Sequence, residues 1–312
     1  MTDLSPTDLG VEVWRGSVNT WECDQMGHMN VRFYVAYAME GLVGLAAMLG
    51  LPGAFRPQSQ STLIVKDHHI RFLREARAGD PLVMRAGVVA MEENSARILQ
   101  LLFHAGSGEL AATLQTLLVH ATAREERAFP WPSHTHDMAE TLMLNVPERA
   151  APRSLTLDPP RAAASLVEAE RLGLIPLAAG AFGAADCDAF GRVNAEHIIG
   201  RVADGVPTLA SALSGRTGPR LANLGGAVLE YRLAYAAWPR AGDRYAVRSG
   251  LIGFDDRVQH LAHWVVDPDT GEPWATTEAV AVSLDLVARK IVPIADDTKA
   301  RLATRVVPGL SL

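Results

Sequence analysis

Apolar positions along this chain follow two periods, and they do so twice. In residues 30–50, "NVRFYVAYAMEGLVGLAAMLG", they recur at helical spacing. Asn30 stands where an N-cap would, its side chain satisfying an amide of the first turn. Gly41, Gly44 and Ala47 make this helix weak in intrinsic propensity, so packing must hold it, and small residues let it approach a sheet closely. Strand-like runs follow: "TLIVKDHHIRFL", "PLVMRAGVVAM", "ARILQLLFHA" and "LAATLQTLLVHATA", broken by the turn signals "RAGD" and "GSGE". The second half repeats the order, with the helical segment "NAEHIIGRVADGVPTLASALSG" and then "GAVLEYRLAYA", "RYAVRSGLIGF", "VQHLAHWVV" and "PWATTEAVAVSLDLVA". A strand, a helix and several antiparallel strands predict an α+β fold in which one helix covers one face of one sheet.

The likeness between the halves extends to residue identity. "ECDQMGHMN" at 22–30 matches "DCDAFGRVN" at 186–194, and from Asp67 onward a second offset, one residue shorter, holds without a gap. "RAGD" at 77–80 recurs at 240–243, Gly108-Glu109 at Gly271-Glu272, Ala112-Thr113 at Ala275-Thr276, and Pro130 at Pro293. Two copies of this length indicate a duplicated domain and not a solenoid. The expected domains are 10–128 and 176–294. Between them, 129–175 is proline-rich, has no sustained period and reads as a surface crossover with a short helix near Ala162 to Leu172.

A length of 312 residues fits two domains, and 48% hydrophobic with 21% charged residues is the composition of an ordinary globular chain. The net charge of −6 argues against a protein whose work is to coat nucleic acid or an anionic membrane. No apolar run stands out as long enough to span a bilayer, and the first residues lack the basic and apolar blocks of a signal peptide, so a cytoplasmic protein is expected. Cys23 and Cys187 make no disulfide framework or paired metal-ligand spacing. They read as small packing residues that turn away from whatever Asp24 addresses.

The repeated octet is where chemistry concentrates. By residue type alone, an Asp and a Gly ahead of an Asn N-cap are what any tight turn into a helix uses. In the strand-to-helix context, however, Asp24, Gly27, His28, Asn30 and Tyr34 resemble the corner of hotdog-fold acyl-CoA thioesterases, the group similar to 4-hydroxybenzoyl-CoA thioesterases. The resemblance covers both repeats. It implies two tandem hotdog domains, each an antiparallel sheet wrapped around a long central helix, packed as a pseudo-dimer with sites where the halves meet. It also implies hydrolysis of a small or medium acyl thioester, with Asp24 as base or nucleophile and unpaired amides of the helix start, about Gly27 to Val31, polarising the carbonyl.

On this reading the catalytic set is Asp24, His28 and Asn30, and the substrate-binding set is Gly27, Met29, Tyr34, Asp188, Arg192 and Asn194. The second corner keeps Asp188, Gly191 and Asn194 but has Arg192 for His28 and Ile198 for Tyr34. A guanidinium cannot exchange protons near neutral pH, so the second corner either binds a CoA phosphate or an acidic acyl group through Arg192 or has become a scaffold that completes the first site. Of these, one competent site, built mainly by the first repeat, is the expectation. No cofactor or metal is implied. The expected partner is acyl-CoA or a related acyl thioester, with no nucleic acid or membrane, and the double-hotdog unit is expected to form a homo-oligomer.

Lesser candidates are His68 or His69, only one of which can face the helix, Glu40 with its match Asp204, the arginines of "RFLREAR", and the two histidines of "SHTHD" at 133–137. Two other functions fit the same corner. One is a non-catalytic acyl-thioester binding protein. The other is a hotdog hydratase or dehydratase, whose aspartate is usually followed by a proline-containing turn and a histidine five residues on; Asp24 and His28 are four apart with no proline between.

Overall fold

A computed structural model describes residues 9–161, 163–214 and 224–312; the first eight residues, Ala162 and Gly215, on which parts of the readings above fall, lie outside them. The chain divides into two compact units, Met1–Pro152 with Asp188–Gly191, and Arg153–Cys187 with Arg192–Leu312. The first contains β1 (Val11–Ser17), α1 (Val31–Met48), β2 (Ser61–Phe72), β3 (Pro81–Met91), β4 (Ser95–His104), β5 (Leu110–Thr122) and α2 (Ser133–Glu140). Its strands run antiparallel in the order β1-β3-β4-β5-β2. The second contains α3 (Leu166–Arg171), β6 (Ile175–Ala181), α4 (Ala195–Ser214), β7 (Leu224–Tyr235), β8 (Arg244–Phe254), β9 (Val258–Val266), β10 (Pro273–Asp285), β11 (Lys290–Val292) and α5 (Asp296–Ala303). Its strand order, β6-β8-β9-β10-β7, repeats that of the first unit, with β11 added to β10.

The small residues of α1 seat it on its sheet. A Cβ on Gly44 would stand 2.6 Å from the Val13 carbonyl oxygen of β1, and one on Gly41 would stand 2.8 Å from Met84 Sδ of β3. Gln100 of β4 reaches up and donates from Nε2 to the Ala38 carbonyl of the helix at 2.6 Å. Gly205 gives α4 the same closeness to Leu177 of β6, 2.6 Å from a Cβ placed there. Contrary to the sequence reading, α1 is long and apolar enough, at a mean hydropathy of 1.3, to cross a membrane by length and composition alone. Its two charged residues, Arg32 and Glu40, disguise this in the sequence; Val35, Ala38, Leu42 and Leu45 are buried within the unit.

The other face of each sheet is covered as well, which the pattern does not predict. After β5, Trp131 stacks on His120 with centroids 4.9 Å apart, α2 forms, and the chain returns across the sheet. Val88 donates its N–H to Leu142 O at 2.8 Å and Leu144 donates to Val88 O at 2.7 Å. Leu144 and Ala150 then join Leu99, Leu101 and Leu110 in one cluster, where burying a leucine contributes about 1.5–3 kcal/mol. Along β4, Ile98, Gln100 and Leu102 alternate with Leu99 and Leu101, and all five are buried, because both faces of the strand meet protein.

In the second unit α5 and the residues after it do the same work. Val307 donates to Leu251 O at 2.9 Å, and Leu310 packs with Leu174 and Trp264. The isolated parallel bridges Val88↔Met143 and Leu251↔Val306 occupy equivalent places. The duplication thus extends through a stretch that reads as crossover. Thr135/Thr298 and Thr141/Thr304 are almost the only identities there, too few to see without the fold. Of the remaining crossover, the short helix expected near Ala162 to Leu172 is α3, capped by Ser165 accepting from Glu168 N.

Candidate active site

Each octet is a tight corner between a short 3-10 turn and the start of a helix, and the two corners share one hydrogen-bond plan. Asp24 Oδ1 accepts from Met26 N at 2.8 Å, and Asp188 Oδ1 accepts from Phe190 N at 2.8 Å. Gly27 N donates to Asp24 O, and Gly191 N to Asp188 O, both at 3.0 Å. Those glycines have φ of +78° and +79°, the left-handed region that other residues adopt only with strain, which is why the turn keeps glycine in both copies. Cys23 pairs with Met29, and Cys187 with Val193, as isolated bridges. Cys23 Sγ contacts Asn19 O at 3.6 Å.

The helix start is tied down equally closely. Asn30 N donates to Glu22 O and Asn194 N to Asp186 O, each at 2.9 Å. Met29 N donates to Ala76 O and Val193 N to Pro239 O, each at 2.8 Å, so the loop after the second strand of each unit is fastened to its octet. Asn30 caps α1, its Oδ1 accepting from Arg32 N at 3.0 Å. These bonds answer the question of which amides could polarise a carbonyl. Those of Gly27, Met29 and Asn30 are engaged, and that of His28 makes a long 3.4 Å contact to Asp24 Oδ1. Among the described residues, only Val31 in that stretch keeps an N–H with no acceptor. The expected row of open amides is therefore narrower than the sequence suggests, because the turn consumes its own donors.

His28 lies with Nε2 3.3 Å from Glu75 Oε2, its side chain only 14% exposed, so the imidazole is held against the Glu75–Ala76 loop and not extended into solvent. Tyr34 and Met29 are buried. The Tyr34 ring sits edge-on to Phe72, centroids 5.0 Å apart, and its oxygen bonds the backbone of Ala76. Burial is the main reason its hydroxyl is held protonated, reinforced by the negative charges of Glu75, Asp80 and Asp24. In the second corner Arg192 is buried, and Asn194 O accepts from His197 N at 3.0 Å.

Glu22 and Glu75 escape the sequence reading. Glu22 is 6% exposed, yet its Oε2 accepts from Tyr37 Oη and Asn19 N, both at 2.6 Å. Tyr37 stacks on Trp14 at 4.2 Å, and Trp14 Nε1 donates to Glu40 Oε2 at 2.6 Å, which gives Glu40 a partner of its own. The equivalent acid, Asp186, instead meets His197 Nδ1 at 3.1 Å and Arg201 at 3.3 Å. Both copies thus brace the corner with a carboxylate two residues before the octet's aspartate. That shared acid in "ECD" and "DCD" is the signal that would find it.

Of the paired histidines on β2, His68 faces α1 and His69 the opposite side. His68 Nδ1 lies 2.9 Å from Thr116 Oγ1, which in turn reaches Gln100 Oε1 at 3.5 Å. Burial lowers the His68 pKa to about 4. In the second unit Tyr231 stands in the place of His68, and the buried histidine is His263, 2.7 Å from Ser249 Oγ; burial likewise lowers its pKa to about 4. His134 of "SHTHD" sits in the first turn of α2, with Nε2 3.2 Å from Gly50 O. Arg71 donates to Glu148 O and Ala151 O, and Arg74 pairs with Glu109, so these arginines fasten loops.

A family model described as the thioesterase-like superfamily matches residues 18–141 and 182–302. The betainyl-CoA thioesterase of Pseudomonas aeruginosa is 27% identical over 119 residues, which are 38% of this chain and 75% of that protein. Among solved structures, one from Lactobacillus plantarum, provisionally assigned as an oleoyl thioesterase, has a TM-score of 0.66 at 12% identity, over 90% of this chain and 99% of the other. The 12:0-ACP thioesterase of Umbellularia californica gives a TM-score of 0.62 at 12% identity, over 86% and 93%. Likeness at that identity establishes the fold, a hotdog-type arrangement with two repeated regions.

Proposed function

Because the chain belongs to the thioesterase-like superfamily, we propose that it hydrolyses acyl thioesters, acting on a small or medium acyl-CoA at the corner of the first repeat. The observation that carries this reading is the state of Asp24. Its Oδ1 is fixed by Met26 N, while Oδ2 has no hydrogen bond among the described residues. That oxygen is the one that acts. As a base it takes a proton from water; the hydroxide adds to the thioester carbon, the tetrahedral intermediate expels the thiolate as the C–S bond breaks, and the thiolate receives the proton. As a nucleophile it would add to the carbonyl directly and expel the thiolate as the C–S bond breaks; water would then hydrolyse the mixed anhydride, releasing the acid and the Asp24 carboxylate and giving a proton to the thiolate. Val31 N–H, at the positive end of α1, polarises the carbonyl in either case.

A small acyl-CoA is also what the name of the Pseudomonas aeruginosa relative describes. The second corner, with Arg192 and Ile198 in place of His28 and Tyr34, serves as scaffold. We extend the proposal to a cytoplasmic protein whose two halves pair as a pseudo-dimer and whose double units associate further, which sedimentation of the purified chain would test.

The deciding experiment is thiol release from a panel of acyl-CoAs by the wild type, Asp24→Asn and Asp188→Asn. Asp24→Asn should lower kcat by about 10²- to 10⁴-fold, and Asp188→Asn should keep most activity. Binding of acyl-CoA by a wild type that releases no thiol would make the protein a clamp and not an enzyme.

A further inference from the structure

The two corners differ in a correlated way that their shared backbone does not require. Where the first has His28, the second has Arg192; where the first has Glu75, the second has Trp238. Both positions are brought together by the same bond in each unit, Met29 N to Ala76 O and Val193 N to Pro239 O, each 2.8 Å. The turn that follows needs no acid at position 75. Arg77 N to Asp80 Oδ2 at 2.9 Å is matched by Arg240 N to Asp243 Oδ2 at 2.7 Å, although Trp238 replaces Glu75. The glutamate is therefore present where the histidine is present, and its carboxylate oxygen lies 3.3 Å from Nε2. The same oxygen is 3.4 Å from Arg77 Nη2, an exposed group whose counterpart Arg240 is retained although Trp238 stands in the place of Glu75.

We infer that Glu75 is the positioning residue for His28 in the thioesterase reaction, an inference that rests on the function proposed above. A neutral imidazole has one N–H and one lone pair. With the proton on Nε2 and donated to Glu75, the lone pair is on Nδ1, and the ring plane is set by the carboxylate. When the ring is protonated, the same carboxylate stabilises the imidazolium. Glu75 thus acts through His28, fixing which ring nitrogen is left to hydrogen-bond the substrate or the water that Asp24 activates, and touches no reacting atom itself.

The test uses the full chain, with Glu75→Ala, Glu75→Gln, His28→Ala and the double variant His28→Ala/Glu75→Ala. Thermal unfolding and histidine ¹⁵N spectra accompany acyl-CoA thiol release. Glu75→Ala should lower kcat by about 10- to 100-fold with KM little changed. Glu75→Gln, which still accepts from Nε2–H, should recover part of that loss, and Glu75→Ala should cost nothing further once His28 is alanine. The spectra should show the Nε2–H tautomer of His28 in the wild type and a mixture of tautomers in Glu75→Ala. A wild-type kcat in Glu75→Ala, an equal loss in both histidine backgrounds, or an unchanged tautomer would overturn the role of Glu75. A wild type that releases no thiol would instead overturn the function, and the spectra would separate the two failures. Glu75 is partly exposed, so its single variants are expected to fold, and thermal unfolding reads the cost of removing the largely buried His28 ring in the other two.

Discussion

Acidification should weaken the first unit through its buried histidines, His68 above all, with His120 shifted in the same direction by burial. In the folded chain the His68 imidazole is fully buried on the helix-facing side of β2, with Nδ1 2.9 Å from Thr116 Oγ1, and burial lowers its pKa from the ordinary 6.5 to about 4. The unfolded chain, free to hydrate the ring, protonates near 6.5. Above that pH neither state binds the proton, and the histidine contributes no pH dependence. Between about 6.5 and 4 the unfolded state binds a proton that the folded state refuses, so stability falls as pH falls. Below about 4 both states are charged and the loss is complete. At about 1.4 kcal/mol per pH unit the full loss is about 3 kcal/mol, of which about 2 kcal/mol is lost by pH 5.

The measurement is equilibrium urea unfolding at pH 7 and pH 5, followed by circular dichroism, for the wild type and His68→Asn. Asparagine can replace the Thr116 bond but cannot titrate, so the variant should lose about 2 kcal/mol less than the wild type over this interval. A loss in His68→Asn as large as in the wild type would mean that the ring titrates normally in the fold or is not buried there. Should the variant prove too unstable at pH 7, His68→Gln asks the same question. His263→Asn is the parallel perturbation in the second unit, whose histidine is lowered to about 4 by the same burial.

Gly44→Ala would place a methyl 2.6 Å from the Val13 carbonyl oxygen, a backbone atom that cannot turn aside. A loss of about 1–3 kcal/mol in thermal or urea unfolding is expected, despite the better helix propensity of alanine, and a variant as stable as the wild type would show that α1 does not sit so close to β1. Gly41→Ala, where the nearest atom is the flexible Met84 Sδ, should cost less. Tyr37→Phe removes the 2.6 Å bond to the buried Glu22 carboxylate and should destabilise by about 1.5–3 kcal/mol; a change within about 0.5 kcal/mol in unfolding would mean that Asn19 N satisfies Glu22 alone.

The sequence by itself determined the duplication, the extent of α1 and the start of α4, all eight strands read from it and the two octet corners. These features rest on local rules. Strand alternation, helical spacing, an Asn that caps a helix and a glycine forced to positive φ are each written within a few residues. The tertiary structure decided what lies beyond that reach. The stretch 129–152 shows no sustained period, because its fit to the outer sheet face through Val88, Leu99 and Leu101 involves single side chains and not a repeating stripe. The narrowing of the open amides at the corner to Val31 depended on acceptors as distant in sequence as Ala76 O. His68 met Gln100 through Thr116 because strand register aligned three strands, and Glu75 met His28 because one backbone bond brought two loops together. Pairing between distant segments selects which buried polar groups can satisfy one another, and a period of two or 3.6 residues carries no record of that choice.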